Sequence, residues 1–316
     1  MNRMAGISDV VITTEHRRFA EFCEACRRYG YIGLCYGTPG VGKTLSARHY
    51  ANWNQVAAYS PSQDTADAEL AAVIGSNTIF YTPKVVNSPK QIAQDIAGWR
   101  HRLRAIPLEA LYREEESLLE RARQEDAANQ QAVFRQVIET LDDPPCARPA
   151  QPESKAFRIA QTSAQKRDET PEPTTLLMID ETDRLKTASL EQVRDLFDQG
   201  GLGVVLIGMP GVEKRLARYP QLYSRVGFVH EFRPLSTDAV RGLFHHQWVP
   251  SGVALPHEGL NDEDVLATII RITSGNFRLL HRLLTQIARL VEINALSRVT
   301  REVVEAARES LVIGTT

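Results

Sequence analysis

Residues 31–44 read Tyr-Ile-Gly-Leu-Cys-Tyr-Gly-Thr-Pro-Gly-Val-Gly-Lys-Thr, and this stretch decides the fold. Tyr31 to Tyr36 is an apolar run of strand length that stops at a glycine turn. A helical pattern starts near Gly42 and continues through Leu-Ser-Ala-Arg-His-Tyr-Ala-Asn-Trp. Between them, Gly37, Thr38, Pro39, Gly40, Val41, Gly42, Lys43 and Thr44 satisfy G-x-x-x-x-G-K-[ST] in the strand-to-helix context that motif requires. The glycines let the backbone wrap phosphate groups with its N–H donors. The start of the helix adds a favourable dipole. Lys43 is then placed to reach the β- and γ-phosphates of a nucleotide, and Thr44 to ligate Mg²⁺.

Upstream, Thr14–Tyr29 reads as an amphipathic helix with Gly30 as its C-terminal cap. Phe19, Phe22, Cys23 and Cys26 share one face of it at i, i+3, i+4, i+7. Cys23 and Cys26 form a lone CxxC with no second ligand pair, so a buried apolar role is expected in preference to metal or redox chemistry.

Downstream, strands are expected at Thr78–Pro83, at Thr-Thr-Leu-Leu-Met-Ile-Asp-Glu ending on Glu181, at Gly203–Met209 and at Val229–Leu235. Helices are expected at Gln91–Leu103, Ser189–Gln199 and Val212–Arg218. Alternating strands and helices imply an α/β fold: a parallel sheet covered on both faces, the three-layer arrangement of a P-loop core. After Ser236 only helical patterns remain, which predicts a small helical lid over 236–316 beside a core over 1–235. Within the core, about 105–141 reads as one long helix or a helical hairpin. The following stretch, about 142–175, is rich in Pro, Ser, Gln and charge and reads as an extended or disordered linker.

The second chemical signal is Asp180-Glu181, two carboxylates delivered by an apolar strand. Asp180 suits the Mg²⁺ shell and Glu181 the general base that polarises an attacking water. No guanine-reading NKxD element is found, which points to ATP as the nucleotide. Arg225, just before the last strand, can reach a neighbouring subunit's γ-phosphate; Arg215 and Arg218 lie close by in sequence. Arg278 opens the helix Arg-Leu-Leu-His-Arg-Leu-Leu and can fold back over the nucleotide. The strongest basic cluster is Lys84, Lys90, Arg100, Arg102 and Arg104, a candidate for phosphate-backbone contacts or else a solvated helix face. His245 and His246 are adjacent and cannot share a helix face as a metal pair would.

A formal net charge of −2 gives no global basic excess to demand nucleic acid. No apolar run approaches the roughly 20 residues of a membrane helix, and Met1–Val10 lacks a signal pattern. No membrane partner and a cytoplasmic location are therefore expected.

The order and spacing of these motifs resemble the AAA+ ATPases. The runs RYGYIGLCYGTPGVGKTLSARHYA, MIDETDRLKTASLEQVRDLFDQGGLGVVLIGMPGVEKRL, YSRVGFVHEF and SGNFRLLHRLL are similar to the MuB, TnsC and TniB group of DNA-transposition regulators. The resemblance implies a Mg²⁺-dependent ATPase that assembles as a homo-oligomeric ring or helical filament on double-stranded DNA without sequence preference. It implies recruitment or activation of a transposase, with target-selection proteins as further partners and hydrolysis driving disassembly. It also assigns Lys43, Thr44, Asp180, Glu181, Arg225 and Arg278 the roles given above. Two features depart from the group's pattern: Met209 stands where a polar, water-placing residue is usual, and the insert and linker are long. An ATPase acting on protein partners in secretion or phage defence, and a replication-initiator-like ATPase, are the alternatives. The tail after Ser236 is short for an added sequence-reading domain, which counts against the initiator.

Overall fold

A computed structural model describes residues 11–60, 66–139, 155–246, 248–250, 252–256 and 259–311. Five strands form its sheet: β1 (Ile32–Tyr36), β2 (Thr78–Tyr81), β3 (Leu176–Ile179), β4 (Gly203–Gly208) and β5 (Val226–Glu231). They pair in the order β2-β3-β4-β1-β5, every pair parallel. Parallel neighbours cannot be joined by tight hairpins, so each connection crosses a face of the sheet. Every residue of β2, β3 and β4 is buried, which is why these strands read as continuous apolar runs without alternation. All five carboxyl ends point the same way, and the chain leaves β1, β3 and β4 side by side. That arrangement brings Gly37, Asp180 and Met209 to one edge of the sheet.

The helices are α1 (Thr14–Tyr29), α2 (Lys43–Tyr50), α3 (Trp53–Ala58), α4 (Asp67–Val73), α5 (Pro89–Glu139), α6 (Lys155–Glu169), α7 (Thr187–Asp198), α8 (Val212–Leu216), α9 (Pro220–Tyr223), α10 (Thr237–His245), α11 (Glu263–Thr273), α12 (Phe277–Ile293) and α13 (Arg301–Glu309). Thr13 caps α1 by accepting from the His16 amide, and Gly30 ends it in the left-handed region at φ 62°. Cys23 and Cys26 are fully buried on the face of α1 that meets the sheet. A Cβ on Gly33 would lie 2.3 Å from Cys26 Sγ, so a side chain on this residue of β1 would push the helix off the sheet. The CxxC is thus packing, as its helical spacing predicts.

Packing divides the chain into two compact units. The first comprises Met1–Trp53, Thr78–Ile96 and Thr175–Thr316; the second comprises Asn54–Asn77 and Ala97–Thr174. In the first, α10 to α13 share a core of Val240, Leu243, Phe244, Ile269, Leu280, Leu283, Leu284 and Ile287. Among the described residues no helix is long and apolar enough to cross a membrane.

Three sequence expectations are corrected. The helix expected at Gln91–Leu103 does not end there: α5 runs unbroken from Pro89 to Glu139 with Pro107 inside it. Proline removes one backbone donor, and the helix continues through the gap. The linker expected over 142–175 contains α6, although residues 142–154 lie outside the described set. No residue of α6 is fully buried. Ala156, Ile159, Ala160, Ser163 and Arg167 form its half-buried face at helical spacing. Ion pairs Lys155–Glu125 and Arg167–Glu115 tie α6 antiparallel to α5, and Arg167 lies 4.7 Å from the centre of the Tyr112 ring. The half-buried face is made mostly of small residues, a weak stripe that a composition test passes over. Finally, the last strand is Val226–Glu231, not Val229–Leu235. Ile32 N donates to Arg225 O at 3.1 Å, so pairing starts early; Phe232 and Leu235 are buried after the strand has ended. At one edge of the sheet β5 alternates half-buried and exposed residues, a weaker signal than that of β2, which is buried throughout at the other edge.

Candidate active site

The loop between β1 and α2 needs its glycines. Gly40 sits at φ 85° and Gly42 at φ 112°, where other residues are strained. A Cβ on Gly37 would lie 2.2 Å from the Phe232 carbonyl oxygen. Lys43 is 9% exposed, and its ammonium donates to the Thr38 carbonyl at 3.1 Å and to that of Gly37. Burial pulls the Lys43 pKa down, opposed by the Cys35 thiol and by Asp180, Glu181 and Asp183. A buried cation held only by carbonyl oxygens is poised for a stronger anionic partner.

Asp180 leaves β3 with its backbone N–H donating to Tyr81 O at 2.9 Å. Its carboxylate is 4% exposed and fixed at both oxygens. Thr44 Oγ1 donates to Oδ2 at 2.7 Å, and the Glu181 amide donates to Oδ1 at 2.9 Å. Thr44 and Asp180, 136 residues apart in sequence, therefore form one pair of hard oxygen donors. Glu181 itself adopts φ 51°, ψ 43°, the left-handed region. For a non-glycine residue this costs about 1–2 kcal/mol. Strain of this kind persists where the surroundings dictate a side-chain direction.

These residues line a cavity of about 480 Å³. Its floor is the loop, Lys43 and Thr44; one wall carries Asp180, Glu181, Asp183, Gly208 and Met209. Helix α12 contributes Phe277, Arg278, His281 and Arg282, and α2 contributes Arg48. The start of α12 is fastened to the loop by one main-chain and one side-chain donor: Arg278 N donates to Gly40 O at 2.9 Å, and Asn276 Nδ2 to Pro39 O at 2.8 Å. Asn276 also caps α12, accepting from Leu279 N at 3.1 Å. Cations of α12 and the loop thus line one cavity with carboxylates at the strand ends, an arrangement that can hold a polyphosphate and a divalent cation together.

Seven cavity residues were missed by sequence reasoning: Leu45, Arg48, Asp183, Gly208, Phe277, His281 and Arg282. His281 and Arg282 were within reach of it, because they follow Arg278 at i+3 and i+4 on one helix face. Asp183 follows Glu181 across a 3-10 turn over Thr182–Arg184, which no simple periodicity flags.

The remaining sequence candidates sit elsewhere. Arg225 does not line the cavity; it pairs with Asp198 through Nε–Oδ1 at 2.5 Å and Nη2–Oδ2 at 2.7 Å. Arg215 donates to the carbonyls of Asp183, at 2.8 Å, and Leu185. Lys84 and Lys90, in the first compact unit, are exposed. In the second, Arg104 is exposed, while Arg100 pairs with Glu172 and Arg102 donates to the carbonyls of Ala57 and Tyr59.

The fastening of α12 to the loop is testable. A Cβ on Gly40 would lie 2.6 Å from Asn276 Oδ1 and 2.9 Å from Arg278 Cβ, at a φ that already disfavours it. Gly40→Ala is expected to lower the unfolding midpoint by several degrees, as about 1–2 kcal/mol implies, and to weaken nucleotide binding at least about tenfold. Gly98→Ala, where a Cβ meets nothing within 4 Å inside α5, serves as the control and should stabilise by about 1 kcal/mol. Calorimetry of both variants reads the difference.

Residues 26–216 match the protein family described as an AAA domain. Over 314 residues the chain is 37% identical to a "Potential ATP-binding protein" of Staphylococcus aureus, covering 98% of this chain and 99% of that one. Among solved structures, Cdc6p from Pyrobaculum aerophilum aligns with a TM-score of 0.54 at 15% identity, over 98% of this chain and 71% of its own. The Aeropyrum pernix Orc1 protein, solved in complex with DNA, aligns with a TM-score of 0.49 at 17% identity, over 95% of this chain. The chain spans 65% of the length of that Orc1 protein. At such identities the likeness to Cdc6p shows a shared fold.

Proposed function

This chain belongs to the AAA domain family, and from that premise we propose that it is a Mg²⁺-dependent ATPase regulating DNA transposition, which assembles on duplex DNA and recruits or activates a transposase. The observation that carries the enzymatic part is the convergence of Lys43, Thr44, Asp180 and strained Glu181 on one cavity. In this reading the amides of the loop over Gly37–Gly42 receive the β- and γ-phosphates of ATP, and the Lys43 ammonium exchanges the Gly37 and Thr38 carbonyls for phosphate oxygens.

The donor set fits magnesium. Thr44 Oγ1 and Asp180 Oδ2 are hard oxygens already 2.7 Å apart. Among the described residues no cluster of three or more His, Cys, Asp or Glu could form an all-protein cage. When bound, Mg²⁺ neutralises charge on the phosphates. Glu181 then accepts a proton from the water that attacks the γ-phosphorus; the bond to the bridging oxygen breaks, and ADP and phosphate result.

Two surface features extend the reading to an oligomer. Arg225 is held at the surface by Asp198, away from its own cavity. A neighbouring copy's γ-phosphate is the kind of charge that can replace that carboxylate. Lys84, Lys90 and Arg104 are exposed and suit phosphate-backbone contacts, whereas Arg100 and Arg102 must first leave their internal partners. Repetition of such residues around a ring or filament gives affinity without sequence preference. The motif runs quoted above are what favour transposition over other uses of such an assembly, and a transposase with target-selection proteins as the partners.

Negative-stain microscopy with a nonhydrolysable ATP analogue, with and without random-sequence duplex DNA, tests this. Rings or filaments that need both ligands are the expected result, and they should fall apart as salt is raised. Assembly indifferent to DNA would replace the DNA-directed role with a protein-directed one and leave the ATPase standing.

A further inference from the structure

A water attacking phosphorus carries two hydrogens, and the base removes only one. A second acceptor beside the base fixes the direction of the water's lone pair. Asp183 meets the requirements for that part. Its carboxylate lines the cavity two residues beyond Glu181. Oδ2 accepts from the Met209 amide at 2.8 Å, and the Asp183 carbonyl accepts from Arg215 Nη1 at 2.8 Å, so both ends of the residue are pinned. Gly208 makes the seat possible, because a Cβ there would lie 3.0 Å from Oδ2. No ion pair involves Asp183 among the described residues, and Asp180 and Glu181 line the same cavity. Asp183 is solvent-exposed on the cavity side, and the bond from Met209 N–H engages Oδ2, which leaves Oδ1 as an acceptor for a cavity water. The Met209 side chain, on the neighbouring strand end, offers only a weak thioether acceptor.

We propose that Asp183 is a positioning residue for ATP hydrolysis, its Oδ1 accepting the second hydrogen of the water that Glu181 activates. The inference rests on the hydrolytic reading above. The rival role is structural: a carboxylate that merely caps the Met209 amide at the end of β4.

Asp183→Asn separates the two. The asparagine carbonyl keeps the bond to Met209 N–H, so a purely structural role survives. Its NH₂ replaces Oδ1 with a donor, so the water loses its second acceptor. In the full-length protein with ATP, Mg²⁺ and duplex DNA, kcat should fall by about 10- to 100-fold, while KM, the affinity for a fluorescent ATP analogue and the unfolding midpoint stay at wild-type values. Met209→Asn added to Asp183→Asn supplies an amide oxygen at the same strand end and should recover part of kcat. Glu181→Gln is run alongside. Wild-type kcat in Asp183→Asn with loss in Glu181→Gln overturns this inference and leaves the proposed function intact. Full turnover in both variants, or none in the unmodified protein, overturns both. A drop in kcat matched by a drop in the unfolding midpoint assigns Asp183 to structure and overturns the proposal.

Discussion

Lys43→Ala is expected to abolish nucleotide binding at micromolar concentrations and leave a folded protein. The Lys43 ammonium is buried, desolvated and held by two carbonyl oxygens of the loop, those of Gly37 and Thr38. Each charge-assisted hydrogen bond it transfers to phosphate contributes about 1.5–3 kcal/mol. Losing two such bonds weakens affinity by roughly 10²- to 10⁴-fold. The effect on the empty protein is far smaller, because removal of the side chain also removes the cost of burying a charge. Thermal unfolding distinguishes these consequences in one experiment. Unmodified protein at about 100-fold excess of ATP over its Kd gains about 2.7 kcal/mol, a shift of several degrees. The variant should unfold close to the unmodified protein without nucleotide and show no shift when ATP is added. A normal shift would remove Lys43, and with it the whole loop, from phosphate binding. Assembly on DNA should vanish with the shift, since the proposed contact of Arg225 needs a neighbour's γ-phosphate.

How much of this was legible in the residues depended on whether a signal was local. The strand–loop–helix of 31–44 carries its own periodicity and its own glycines, so both the loop and its chemistry could be read directly. The same holds for β3 and Asp180-Glu181, where a fully buried strand ends on two carboxylates. The edge strand β5 was misplaced because half of it faces outward, and α6 was missed because its half-buried face is built mostly of small residues within a Pro-, Ser- and Gln-rich stretch. The contribution of α12 was partly legible: Arg278 stood out, yet its helix neighbours His281 and Arg282 line the same cavity. Asp183 was invisible, since its position depends on the Met209 amide arriving from β4, 26 residues away. Nor could the sequence show that Asp198 holds Arg225 or that Glu172 holds Arg100. Such contacts between distant segments separate a candidate list from a site.

Glu181→Gln is expected to bind ATP normally, assemble on DNA and remain assembled. Glutamine has the shape of glutamate and can occupy the same left-handed backbone at φ 51°, so the strain and the Asp180–Glu181 amide bond carry over unchanged. What disappears is the capacity to accept a proton. General-base catalysis contributes about 10²- to 10⁴-fold, so kcat should fall by that range while KM holds. Glu181→Gly is the informative companion. Glycine adopts this backbone without penalty, so the variant should be more stable by up to about 1 kcal/mol and equally inactive. Higher stability with lost turnover would mean that strain is maintained at this residue for its side chain's sake. Unchanged turnover in Glu181→Gln would transfer the role of base elsewhere in the cavity. Lost turnover with prompt release from DNA would instead uncouple disassembly from hydrolysis. In the expected case, DNA-bound assemblies of the glutamine variant outlast those of the unmodified protein by the same factor that turnover has fallen, because one chemical step then sets both rates.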